Sequence, residues 1–318
     1  MAPDRPLAAV PERTPEVRPA GPAVVALGGG HGLSASLRAV RRYAGSVTAI
    51  VSVADDGGSS GALRAVMPDL PAPGDVRKCL GALAEEGSAF GRVLEHRFGE
   101  GDLEGHALGN LLLVALCQEM GSFSAAVDEV ARRVGAVGRV LPATIGPVDL
   151  RGRRAQPSAS DAPVALIDGQ VAVQNATGVF EVGLEPAAPA SSPEVAEAIL
   201  AADQVVIGPG SLFTSVLAAA IVPSVKDALA AASAQRVYVA NLGPQLPETA
   251  GFTVGDEVAA LGRHGIPVDV VVADPARGLG DGAAFAEAMP VCSWPVAGAG
   301  GRVHDPALLA AALAGLLA

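Results

Sequence analysis

This chain predicts a doubly wound α/β fold with a mostly parallel sheet, and three observations carry that prediction. Short runs of Val, Ile, Leu and Ala alternate with amphipathic helical segments from Ala23 onward. The runs lack the period-two alternation of half-exposed strands, so they read as strands covered on both faces. Two of them end directly in glycine-rich loops that open helices, Gly28-Gly29-Gly30-His31-Gly32-Leu33-Ser34 and Gly208-Pro209-Gly210-Ser211. Such a strand–loop–helix junction leaves several backbone N–H groups unpaired near the positive end of a helix dipole, an arrangement that binds phosphate without a basic side chain.

Taken in order, the first strand is Val24–Leu27, followed by a helix over Ser34–Tyr43 with Ser34 as its N-cap. Thr48–Val53 is the second strand. Helices follow over Asp75–Glu85, Asn110–Glu119 and Phe123–Val134. From about Leu141 to Pro186 the rhythm breaks. Val148–Leu150, Val164–Ile167, Gln170–Val173 and Val179–Val182 alternate apolar and polar residues around Asp168-Gly169 and Asn175–Gly178. They read as antiparallel hairpins inserted between the halves of the sheet, with a polar loop over Arg151–Ala162. The α/β rhythm then resumes with a helix at Pro193–Ala202, a strand at Val205–Ile207, a helix at Val225–Ala232, and strands at Val237–Asn241 and Val268–Val272. Asp305 followed by Pro306 starts a last apolar helix. The expected organisation is therefore an extension over residues 1–22 and one α/β unit over 23–318, with a β-rich insertion at about 141–186. Met1–Pro22 is rich in proline and has no apolar h-region, so it reads as a disordered extension and not as a signal peptide.

Composition narrows the function classes. The formal net charge of −11 disfavours non-specific binding to nucleic acid or to an anionic membrane surface. Aromatic residues make up only 3%, too few for base-stacking platforms. Cys79, Cys117 and Cys292 form neither a CxxC pair nor a disulfide framework, which suits a reducing cytoplasm. No run of about 18 apolar residues offers a membrane span.

The first loop satisfies neither phosphate-loop consensus: Leu33 stands where GxGxxG needs its third glycine, and no Gly-Lys-Ser/Thr follows. The second strand ends in Asp55-Asp56-Gly57-Gly58-Ser59-Ser60-Gly61, with Arg64 after it. Three roles are open for these acids. They can hold a ribose, although they lie farther from Gly28 than the ~20 residues usual in dinucleotide folds. They can hold hydrated Mg²⁺ beside a ligand phosphate, or simply cap a turn. Asp75 and Lys78 stand at a helix start. His106 and Asn110, four apart before an apolar run, would share a helix face. Asn241 ends a strand on the side where open α/β sheets bind ligands.

Five co-linear motifs resemble the YvcK family: GGGHGL from Gly28, VADDGGSSGALR from Val53, PGDVRK from Pro73, GHALGN from Gly105 and IGPGSLFTS from Ile207. These bacterial gluconeogenesis factors bind UDP-N-acetylglucosamine and related UDP-sugars, support cell shape, and share a superfamily with the phospholactate transferase CofD. The resemblance implies ligand contacts at Gly29, Gly30, His31, Asp55, Asp56, Ser59, Ser60, Arg64, Asp75, His106, Asn110, Gly210, Ser211 and Asn241. It implies no required cofactor, with Mg²⁺ able to accompany the nucleotide, and it is compatible with a homo-oligomer. A CofD-like, Mg²⁺-dependent nucleotide-activated transferase is the alternative. Asp256-Glu257 and Asp274 depart from the family pattern, which leaves the C-terminal rim of the site and its sugar preference open.

Overall fold

A computed structural model describes residues 20–155, 164–279 and 289–317. The expected extension, apart from Ala20–Pro22, and residues 156–162 of the expected polar loop lie outside the described residues.

The strands are β1 (Ala23–Gly28), β2 (Ser46–Val51), β3 (Arg139–Pro142), β4 (Asp149–Arg154), β5 (Ala165–Asp168), β6 (Val179–Glu185), β7 (Gln204–Ile207), β8 (Gln235–Val239), β9 (Val270–Ala273) and β10 (Val291–Ser293). Seven of them form one sheet in the order β10-β9-β8-β7-β1-β2-β3, and every neighbouring pair is parallel. All residues of β7 and β9 are buried, Gln204 included, as expected for strands covered on both faces. The order reverses at β1. The chain leaves β1 toward β2 and β3 on one side, then returns at β7 on the other and proceeds outward to β10. The carboxyl ends of β1 and β7 therefore flank a topological switch point, where open α/β sheets form their ligand crevice.

Helices pack on this frame: α1 (Gly30–Val40), α2 (Gly58–Val66), α3 (Pro73–Leu83), α4 (Ala89–Leu94), α5 (Leu108–Met120), α6 (Phe123–Arg133), α7 (Gln170–Gln174) and α8 (Pro193–Leu200). A π-helical stretch at Leu212–Leu217 continues into α9 (Ala218–Ala220), followed by α10 (Pro223–Ala231), α11 (Val254–Arg263) and a last described helix at Pro306–Gly315. Asp305 caps that last helix as expected, accepting from Ala307 N and Leu308 N at 2.8 and 3.0 Å. Among the described residues no single helix is long and apolar enough to cross a membrane.

Three local expectations are corrected. Helix α1 starts at Gly30, not after a Ser34 cap; Ser34 lies inside the helix and its hydroxyl donates to Gly30 O at 3.0 Å. Residues 151–154 belong to β4 rather than to a loop, because Arg151 and Arg153 pair with Glu185 and Glu181 across the small sheet. Gln170–Val173, expected as a strand, is helix α7. The small sheet itself is antiparallel, in the order β5-β4-β6.

Candidate functional site

The two glycine loops meet at the switch point. Leu27 of β1 is in register with Ile207 of β7, so both chains emerge side by side. Gly29 is extended, and Gly30 takes φ +63°, in the left-handed region that favours glycine. A Cβ on Gly32 would lie 2.2 Å from Pro209 O and 2.6 Å from the Gly210 Cα, so two backbones touch there without an intervening side chain. Ser36 fastens the contact from below, its hydroxyl donating to Gly208 O at 2.6 Å.

The loops differ in what they leave free. In the first, Leu33 N makes the opening helical bond to Gly29 O at 3.2 Å, so the N–H groups of Gly30, His31 and Gly32 precede it. These are the donors of an anion cradle. In the second loop the N–H groups of Gly208, Gly210, Phe213 and Thr214 are already engaged, the first of them by Leu27 O at 3.1 Å. Asn241 brackets Gly210, accepting from its N–H at 3.0 Å and donating to its carbonyl at 2.8 Å. Glu248 accepts from Phe213 N at 2.6 Å and from Thr214 N and its hydroxyl, both at 3.1 Å. The Ser211 hydroxyl also bonds this carboxylate, whose pKa burial raises. Glu248 is 2% exposed and occupies the place an anion would take. No spacing in the sequence marks it for this role.

A cleft and a polar cluster flank the first loop. On the β7 and β8 side is a cleft of about 400 Å³, lined by His31, Gly32, Pro209, Gly210, residues 241–245 and residues 301–304. His304, which has no motif around it, closes this cleft and is held through Nε2 by Ala240 O at 3.2 Å. His31 is exposed at the rim of the cleft; partial desolvation, then the charge of Lys78, lowers its pKa. On the β2 side is a polar cluster. Asp55 accepts from Gly57 N at 3.1 Å, and its pKa is raised, first by burial and then by the charge of Asp75. Ser60 bonds the same carboxylate. Asp75, paired with Lys78 at 3.0 Å, leans over the first loop, and a Cβ on Gly29 would lie 2.5 Å from it. Ser59 joins His106 Nδ1 at 3.1 Å and accepts from Asn110 Nδ2 at 3.0 Å. Asn110 is 2% exposed and its Oδ1 has no partner.

The structure thus gathers Gly29, Gly30, His31, Asp55, Ser59, Ser60, Asp75, His106 and Asn110 around the first loop, and Gly210, Ser211 and Asn241 in or against the second. Asp56 and Arg64 point elsewhere. Asp56 accepts from Gln170 N and Val171 N of α7, both at 2.9 Å, and Arg64 pairs with Asp149 of β4 at 2.8 Å. The departures on the C-terminal side hold structure together. Asp256 forms a capping box with Thr253, and Asp274 accepts from Val296 N and Ala297 N. Glu257 is fully buried against Tyr238 and Arg277, with its pKa pushed up to about 7 by burial. Among the described residues no three His, Cys, Asp or Glu side chains gather where they could hold a metal ion.

Fold and site define a doubly wound α/β protein whose glycine loops face each other across the switch-point crevice. Residues 24–282 match the family model for 2-phospho-L-lactate transferase CofD, and the chain belongs to the CofD family. A gluconeogenesis factor from Halalkalibacterium halodurans is 40% identical over 254 residues, 78% of this chain and 76% of that protein. A protein from Mycobacterium tuberculosis that carries a gluconeogenesis-factor name is 43% identical over 316 residues, 93% of this chain and 90% of its own. A crystal structure of a UPF0052 family member from Bacillus halodurans superposes with a TM-score of 0.84 at 33% identity, covering 92% of this chain and 99% of that one. Within the CofD family the chain therefore groups with the gluconeogenesis factors of the UPF0052 type.

Proposed function

We propose that this chain is a cytoplasmic factor that binds a UDP-sugar, UDP-N-acetylglucosamine first among them, and acts in carbon metabolism and cell shape. One observation carries the reading: the first glycine loop, whose Gly30, His31 and Gly32 N–H groups precede the first helical bond, lies between a cleft on one side and a polar side-chain cluster on the other. A nucleotide-sugar has the matching form, two polar arms joined by a diphosphate. The diphosphate belongs over Gly30–Gly32, at the positive end of α1. One arm then enters the cleft beside Asn241 and His304. The other meets Asp55, Ser59 and His106. The motifs shared with the YvcK family support the same assignment, and the gluconeogenesis-factor names of the relatives support a metabolic role.

A transferase is the second reading, favoured by the family model itself. Asp55 and Asp75 would then hold Mg²⁺, which typically takes one or two carboxylates plus ligand phosphates. The residues fit only in part, because burial raises the Asp55 pKa and Lys78 already neutralises Asp75.

Calorimetric titration with UDP-N-acetylglucosamine, GDP and NAD separates the two. The tightest binding is expected for UDP-N-acetylglucosamine; tighter binding of GDP would overturn this reading in favour of the transferase.

A further inference from the structure

Asp55 and Asp56 are sequence neighbours that face opposite ways. Asp55 turns toward Asp75 and the start of α3, within the polar cluster. Asp56 presents one oxygen to Gln170 N and the other to Val171 N, both at 2.9 Å, and so caps α7 from 114 positions away in the chain. The packing at this joint is close. A Cβ on Gly169, which has φ +96°, would lie 2.5 Å from Asp56 Oδ2, and one on Gly57 would lie 2.9 Å from Val171 Cγ2. A second tie lies at the far end of the same segment. Arg64 donates through Nη2 to Asp149 Oδ1 at 2.8 Å and through Nη1 to Asp55 O at 3.5 Å. The segment bearing Asp55, Ser59 and Ser60 is thus clamped at both ends to the small antiparallel sheet and its helix.

We infer that Asp56 and Arg64 are positioning residues. They touch no ligand; they let the small sheet hold residues 55–64 in place for a ligand met by Asp55 and Ser59. The coupling is reciprocal, so occupancy of the crevice tightens α7 in return. The second half of this inference rests on the UDP-sugar reading; the first half does not. Asp149 is the position that discriminates. Its side chain is 62% exposed on β4, and it pairs with Arg64. Its loss releases Arg64 from the small sheet while leaving every residue of 55–64 in place.

Hydrogen exchange read by mass spectrometry, together with calorimetry, tests this. Without ligand, Asp149→Ala and Asp56→Ala should each speed exchange over residues 55–64, although the first removes nothing from that segment. Adding UDP-N-acetylglucosamine to the wild type should slow exchange over 28–36 and also over 165–174. Asp56→Ala should abolish the slowing at 165–174, and Asp149→Ala should weaken binding roughly two- to five-fold, the scale of a partly exposed ion pair. Unchanged exchange over 55–64 in both ligand-free variants would overturn the positioning role. So would protection at 28–36 with none at 165–174 in the wild type. A wild type that binds no UDP-sugar would sink only the ligand reading, and the ligand-free comparison would still decide the clamp.

Discussion

Replacing Gly32 by alanine tests the architecture of the crevice at its tightest point. The added Cβ would lie 2.2 Å from Pro209 O and 2.6 Å from both the Pro209 carbonyl carbon and the Gly210 Cα. All three atoms are backbone, so no flexible side chain can yield. Restoring an ordinary contact of about 3.5 Å requires the two loops to part by roughly 1 Å. Overpacking of this kind costs about 1–3 kcal/mol. In a chain of this size that corresponds to a fall in Tm of about 1–5 °C. The same parting moves Gly30–Gly32 relative to the cleft wall at Gly210 and Asn241, and the loss of one or two well-aligned hydrogen bonds weakens binding by roughly ten- to a hundred-fold. Gly262→Ala is the control, since Gly262 is exposed on α11, does not line the cleft, and its Cβ would meet open space. Thermal unfolding followed by calorimetric titration with UDP-N-acetylglucosamine reads both effects. Wild-type melting and affinity in Gly32→Ala would refute the backbone contact and the cradle built on it.

Glu248→Ala should lower stability by roughly 3 kcal/mol, measured by denaturant unfolding, because it strands two backbone N–H groups and the Thr214 hydroxyl in a buried place; Glu248→Gln, which keeps an acceptor, should cost less. Glu257 gives a pH signature: its folded pKa of about 7 lies above the ordinary 4.5, so its contribution to stability is full below about pH 4.5 and is lost as pH rises through about 7. Melting of Glu257→Gln against wild type across that window should show the variant gaining on the wild type as pH rises, and a pH-independent difference would count against the burial of this carboxyl. Binding of UDP-N-acetylglucosamine should survive EDTA, since the N–H groups at the start of α1 and the helix dipole supply positive potential beside a diphosphate; loss of titration heat in EDTA would support the Mg²⁺-dependent transferase instead.

The parallel sheet was legible because β1, β2, β7, β8 and β9 are near-continuous apolar runs, a pattern that follows from burial on both faces. The glycine loops were legible for a related reason, since a strand that ends in glycines has few other uses. Elements whose cause lies elsewhere in the chain were not readable locally. Strand β3 is four residues long, begins with Arg139 and ends with Pro142, and it exists because β2 offers it an edge. Gln170–Gln174 alternates like a strand, yet it is helical because Asp56 caps it from across the fold. The equality of the two glycine loops was likewise an illusion of composition. Only Glu248 and Asn241, both distant in sequence, reveal that the N–H groups of Gly210, Phe213 and Thr214 are already engaged.

The sheet order also governs when in its synthesis the molecule acquires a crevice. Strand β1 is central, yet its partner β7 comes far later, and Ala23 N already donates to the carboxylate of Asp203, 180 positions away. The amino-terminal portion can pair β1 with β2 and β2 with β3 on the ribosome, but one flank of β1 stays bare until β7 emerges. Half of the crevice wall, including Gly210, Asn241 and His304, is translated after that point. A prematurely terminated chain would thus carry the first glycine loop without its opposing wall, and an incomplete product would compete poorly for whatever metabolite the finished protein holds.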